Sequence, residues 1–178
     1  MSNTQNTTSK KYGRTLLLKP VNNFDLTNDD FVKLTGVVSN NMTKTTGSYF
    51  LTFDTSANAQ SAYNLVKSDY PNVLVKYSYY KVFFTINGLQ DNADYNSVKD
   101  EFVKYLETTS GSSVLFFKLY KKGSSFIGCG DFTLDTLDGM NSLLNRDTGV
   151  KNFSLSSNLT GTFHRFNSYK SKNTNTQV

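Results

Sequence analysis

The chain has 178 residues, 37% hydrophobic and 19% charged, with 14 Phe, 11 Tyr, one Cys, one His and a net charge of +5. That length suits one medium domain or two small ones of about 80 residues, and the composition excludes a disordered chain. The lone Cys129 excludes an internal disulfide, and no apolar run reaches the ~18 residues of a membrane span.

Residues 1–13 (MSNTQNTTSKKYG) lack periodicity and read as a flexible arm. RTLLLKPV, residues 14–21, is a short apolar run closed by Pro20, a strand by length and flanks. Thr27 with Asp30 resembles a capping box that uses Asp, opening a short helix with Phe31 and Leu34 on one face. Residues 36–44 form a weak strand, 45–47 a turn, and SYFLTF (48–53) a strong aromatic strand. Asp54, Thr55 and Ser56 are cap-type residues before a helix over 57–67, in which Ala59, Ala62, Tyr63 and Val66 share a face. Pro71 stops it, and NVLVKYS (72–78) alternates as a strand.

The order strand, helix, strand, strand, helix, strand then recurs. KVFFTI (81–86) is a strand, and residues 95–106 form a helix aligning Val98, Phe102, Tyr105 and Leu106. VLFFKLY (114–120) and FIGCGDFTL (126–134) are strands around the turn KKGSS. Asp135 and Thr136 cap a helix through MNSLLN, and VKNFSLS (150–156) closes the unit as its final strand. LTFDT at 51–55 and FTLDT at 132–136 lie 81 residues apart, whereas the opening strands align at 67, Arg14 on Lys81. Matched element order on both sides of the echo makes duplication the better reading.

A split β-α-β pair predicts a four-stranded antiparallel sheet with two helices on one face and the other face open. Over residues 14–78 and 80–157 the sequence resembles the RNA recognition motif (RRM) family, so the expected fold is α+β, two tandem ferredoxin-like sandwiches. The family's third-strand motif falls on residues 46–53, where Gly47, Phe50, Leu51 and Phe53 fit while Thr46 is not basic and Ser48 is not aromatic. Alternation turns Tyr49, Leu51 and Phe53 toward the helices and Ser48, Phe50 and Thr52 toward the open face; in the first strand it buries Leu16 and Leu18.

The resemblance implies base stacking at Phe50 in the first repeat and Phe83 in the second. The 81-residue offset puts Cys129, Asp131 and Thr133 on the second open face, with Asp131 where the first copy has Phe50. A carboxylate there repels phosphate and gives no stacking surface. An alternative register using Phe126 and Gly128 avoids Asp131 but breaks the repeat.

Lys10, Lys11 and Arg14 near one end and Arg165, Lys170 and Lys172 near the other exceed the whole net charge, so the body is nearly neutral. Candidate phosphate contacts are Arg14, Lys19, Lys76, Lys81, Lys118, Lys121, Lys122 and Arg165, with Lys118, Lys121 and Lys122 flanking one hairpin. Enzyme readings fare worse. One His and one Cys make a nucleophile pair improbable, metal-ligand spacings are missing, and GCG at 128–130 lacks a P-loop's Lys-Ser/Thr, fitting a bulge or close backbone approach.

The expectation is therefore a non-enzymatic, cofactor-free protein: a flexible arm (1–13), two RRM-like domains (14–78 and 79–162) and a basic polar tail (163–178). It binds single-stranded RNA or DNA, RNA first, and no membrane. The alternative is a scaffold, in a virion or a ribonucleoprotein, whose sheets contact protein or a second copy. With no signal-peptide core at the N-terminus, the expected location is intracellular, cytoplasmic or nuclear, or the virion if the Asn-, Lys-, Tyr- and Phe-rich composition reflects an AT-rich viral genome.

Overall fold

The computed structural model describes residues 12–22, 26–43 and 47–166 and turns the repeated order into two α+β sandwiches. The first comprises β1 (Thr15–Pro20), α1 (Asn28–Val32), β2 (Val37–Thr43), β3 (Ser48–Phe53), α2 (Ser56–Asp69) and β4 (Val73–Tyr77). The second comprises β5 (Tyr80–Asn87), α3 (Tyr95–Ser110), β6 (Val114–Lys122), β7 (Ser125–Leu134), α4 (Leu137–Leu143), β8 (Val150–Ser154) and β9 (Thr160–Arg165). Most of the expected arm and tail, residues 1–11 and 167–178, with Lys10, Lys11, Lys170 and Lys172, and the motif position Thr46, lie outside the described residues.

Both sheets are antiparallel, ordered β2-β3-β1-β4 and β6-β7-β5-β9-β8. The fold is a tandem of RRM-like sandwiches. Local chemistry explains the elements. Thr55 and Thr136 cap α2 and α4 by accepting from the backbone N–H groups of Asn58 and Gly139, both at 3.1 Å. Asp94 does the same for α3 from Ser97 N at 2.9 Å, and Gly111, in the left-handed region at φ 65°, ends that helix.

Two separate cores form. Leu16, Leu18, Leu51 and Phe53 meet Ala59, Ala62 and Val66 of α2 in the first. The second is built of phenylalanines: Phe102 of α3 lies 4.7 Å from Phe84, 5.2 Å from Phe117 and 5.0 Å from Phe153, ring centre to ring centre.

Three expectations are corrected. VKNFSLS is not the last strand: β8 is an added edge, and the strand beside β5 is β9, so the second sheet has five strands and reaches Arg165. His164 and Arg165 thus belong to the sheet and not to a tail beginning at 163. Ser, Asn, Thr and Gly dilute the strand signal of this run, although Gly161 and Phe163 alternate inward as a strand requires. Thirdly, the opening strands are offset by 66 and not 67: Thr15 pairs with Thr52 as Lys81 pairs with Thr133. A single residue matters here, because a slip of one exchanges the faces of a strand.

The GCG segment holds both features its glycines imply. Gly128 sits at φ +69°, and a Cβ on Gly130 would lie 2.6 Å from Phe84 Cζ and against the Lys118 carbonyl.

Where the repeats meet, Arg14 Nε lies 2.7 Å from Asp135 Oδ2 and the Thr15 hydroxyl donates to the Asp135 carbonyl at 3.0 Å. Asp135 Oδ1 accepts from Ser113 N at 3.0 Å, so both carboxylate oxygens of this buried residue are satisfied. With β4 ending at Tyr77 and β5 beginning at Tyr80, the junction leaves little slack.

Candidate nucleic-acid interface

The two open sheet faces differ in what they display. On the first, Leu17 pairs with Phe50 and with Lys76, and Lys19 pairs with Leu74. Phe50 is half-buried, Leu74 is half-exposed, and Lys19 and Lys76 are exposed. Thr15, at one end of this face, is buried by its bond to Asp135 and sits 3.1 Å from the Thr52 hydroxyl. One aromatic ring among aliphatic neighbours makes a narrow stacking surface.

On the second face the side chains converge. Phe83 of β5 stands opposite Asp131 of β7 and His164 of β9, and Lys118 of β6 stands opposite Asp131 from the other side. Alternation adds Tyr120 to that face, its ring centre 6.5 Å from that of Phe83, while His164 lies 6.0 Å from Phe83 on the opposite flank. The result is a row of three rings, Tyr120–Phe83–His164, crossing β6, β5 and β9. Phe116 and Phe166 extend it, each about half exposed at 50% and 44%. Beside the row, a groove of about 540 Å³ runs along Phe83, Thr85, Val150, His164, Arg165 and Phe166, within the size range of small-ligand sites.

Asp131 does not spoil this surface, because its charge is met locally. The Tyr120 hydroxyl donates to Asp131 Oδ2, and Lys81 Nζ lies 3.3 Å from the same oxygen. Lys81 Nζ is also 4.7 Å from the centre of the Phe166 ring, and Lys118 Nζ is 5.9 Å from that of Tyr120. Two lysines against one carboxylate leave the face net positive. The hydrogen bond to Asp131, followed by burial and the negative charge itself, pushes the Tyr120 phenol up to about 12. Tyr120 therefore remains a neutral donor at physiological pH. Asp131 is 2% exposed, and its Oδ1 has no hydrogen-bond partner among the described residues. Cys129 lies half-buried on the same face, its thiol pushed up by burial, which makes it a poor nucleophile.

The structure brings together Phe83, Lys81 and Lys118 from the sequence-derived candidates, with Arg165 at the edge of the groove. Phe50, Lys19 and Lys76 belong to the other sheet. Arg14 is engaged with Asp135 at the junction and also reaches the Asp54 carbonyl at 3.3 Å. Lys121 folds over Phe126 at 4.3 Å, and Lys122 pairs with Ser125 at the exposed hairpin end. Tyr120 and His164 are residues the sequence reading missed. Tyr120 was legible, since inward Phe117 and Leu119 imply outward Lys118 and Tyr120; His164 was hidden by the misplaced end of the domain.

No protein-family model and no curated protein matches the chain. Solved structures similar to it include a Sxl-lethal protein/RNA complex, at 13% identity over 74% of this chain and 87% of that one, with a TM-score of 0.30. The Sex-lethal RNA recognition domains 1 and 2 from Drosophila melanogaster are also 13% identical, over 73% and 91%, with a TM-score of 0.30. A third, the C. elegans NONO-1 homodimer, is 18% identical over 84% and 62%, with a TM-score of 0.40.

Among the described residues, no group of three or more His, Cys, Asp or Glu could hold a metal ion, and no helix is long and apolar enough to cross a membrane.

Proposed function

We propose that the chain is a non-enzymatic single-stranded nucleic-acid-binding protein, with RNA as its first ligand, and that the open face of the second sheet is the binding surface. The observation that carries this reading is the Tyr120–Phe83–His164 row with Lys81 and Lys118 beside it. Rings set side by side along a sheet face accept successive unpaired bases, and adjacent ammonium groups take the phosphates. Duplex would fit poorly, since its bases are not free to stack on protein rings.

Fluorescence anisotropy of the full chain with random single-stranded RNA and DNA, at about 50 and 200 mM salt, tests it. Binding that weakens strongly with salt and drops in Phe83→Ala supports the proposal; no binding at the lower salt sinks it.

The first sheet favours a second reading for its own face. Leu17, Phe50 and Leu74 present a mainly aliphatic apolar surface with a single ring there, with Leu74 52% exposed, which suits contact with protein more than with bases. Size-exclusion light scattering that finds a discrete oligomer, abolished by Leu74→Asp, supports it; a monomer at all concentrations counts against self-association.

A further inference from the structure

We infer that the second sheet reads bases through the hydrogen-bond donors on their edges, with Asp131 Oδ1 as the acceptor, so that cytosine-bearing strands bind more tightly than uracil-bearing ones. This rests on the nucleic-acid reading above and assigns a base preference to the same surface.

Asp131 lies at the centre of the face, between Phe83 on one neighbouring strand and Lys118 on the other. Its two oxygens are unequal. Oδ2 receives the Tyr120 hydroxyl and the Lys81 ammonium. Oδ1 is buried and has no donor among the described residues, an arrangement that costs stability and that a donor from a ligand would relieve. A carboxylate already bonded on one side is held in a fixed orientation, which suits recognition better than a mobile surface acid.

The Lys81 side chain beside this carboxylate can move. The Lys81 side chain is 40% exposed, and its ammonium already contacts two groups, the carboxylate and the Phe166 ring. A phosphate arriving beside the ring row draws that ammonium outward and opens Asp131 to the base stacked on Phe83, whose edge then faces the adjacent strand. Tyr120 keeps its own bond to Oδ2 meanwhile, so the carboxylate is not stripped of support.

An ionised carboxylate only accepts, so it selects edges that donate. Cytosine presents its N4 amino group, and acidic side chains are suited to accept from it. Uracil places the O4 carbonyl at that position, and its N3–H is flanked by two carbonyl oxygens that repel the carboxylate. The two bases share ring size, so stacking on Phe83 differs little between them and the edge decides.

The test is anisotropy of the full chain with single-stranded oligocytidine and oligouridine of about ten nucleotides, at about 50 mM salt. The expected result is roughly tenfold tighter binding of oligocytidine. In Asp131→Asn the preference falls below about threefold, because an amide offers a donor to O4 as readily as an acceptor to N4. Equal affinities in the unsubstituted chain, or a preference unchanged in Asp131→Asn, overturn the base preference while leaving nucleic-acid binding intact. Binding of neither strand overturns both.

Discussion

Asp54 and Asp135 end the same strand of the two repeats, 81 residues apart, in the phrases LTFDT and FTLDT, yet they are used differently. Asp54 accepts from its own helix, from Asn58 Nδ2 at 2.8 Å, and is exposed. Asp135 is buried and binds Arg14 of the other repeat. The same divergence runs through the open faces: Leu17 against Phe83, Phe50 against Asp131, and, turned inward, Tyr49 against Gly130. Tyr49 packs on Phe31 at 5.1 Å, while Gly130 makes room for the Phe84 ring. Among positions facing the helices, Leu51 and Phe53 against Phe132 and Leu134 exchange an aliphatic and an aromatic side chain and keep the summed volume, whereas Tyr49 against Gly130 does not. Outward positions carry the individuality of each copy, because a residue outside the core can change without unfolding its sheet.

The comparison breaks most visibly at Gly130. Gly130→Ala drives a methyl into Phe84 and the Lys118 carbonyl and is expected to cost about 3 kcal/mol in denaturant unfolding, whereas the matching Tyr49→Ala removes partly buried packing and costs less.

Next is the aspartate pair. Asp135→Ala leaves Arg14 Nε and Ser113 N without their acceptor and is expected to destabilise by about 2 kcal/mol; Asp54→Ala should leave the unfolding midpoint unchanged. Equal effects would erase the distinction drawn between the two corners.

The open faces separate in binding. Phe83→Ala is expected to weaken single-stranded RNA by about 1–3 kcal/mol, with Phe50→Ala nearly silent. Lys118→Ala should lower the slope of log affinity against log salt by about one.

The smallest effect is spectroscopic. Tyr120 should titrate near 12 in the ultraviolet absorbance of the folded chain, and Asp131→Asn should return it toward the ordinary phenol value near 10. Because the folded value is the raised one, the Tyr120–Asp131 bond contributes stability that is fully present below pH 10 and lost as pH rises through about 12.

Much of the fold was legible in the sequence because alternation and caps are local: Leu16, Leu18, Leu51, Phe53, Val82, Phe84 and Ile86 point inward as their spacing requires. What escaped depended on partners distant in sequence. Asp131 looked hostile to a ligand because Lys81, 50 residues earlier, and Tyr120 on the neighbouring strand are invisible beside it in a linear reading. Arg14 reads as a phosphate contact in the sequence because nothing near it in the chain shows Asp135. The 67-residue offset followed the matching charge of Arg14 and Lys81, but pairing between strands, and not likeness of residues, sets which positions correspond.

The Arg14–Asp135 tie also bears on how the molecule comes apart. Two cores of different size, joined only by a tether, would melt independently, the smaller one first. Here, losing the first sheet withdraws Arg14 and Thr15 from a carboxylate that the second repeat buries. Each half therefore fails at a cost to the other. The duplicated chain should melt as one cooperative unit, with equal calorimetric and van't Hoff enthalpies, and Asp135→Ala should split the transition in two.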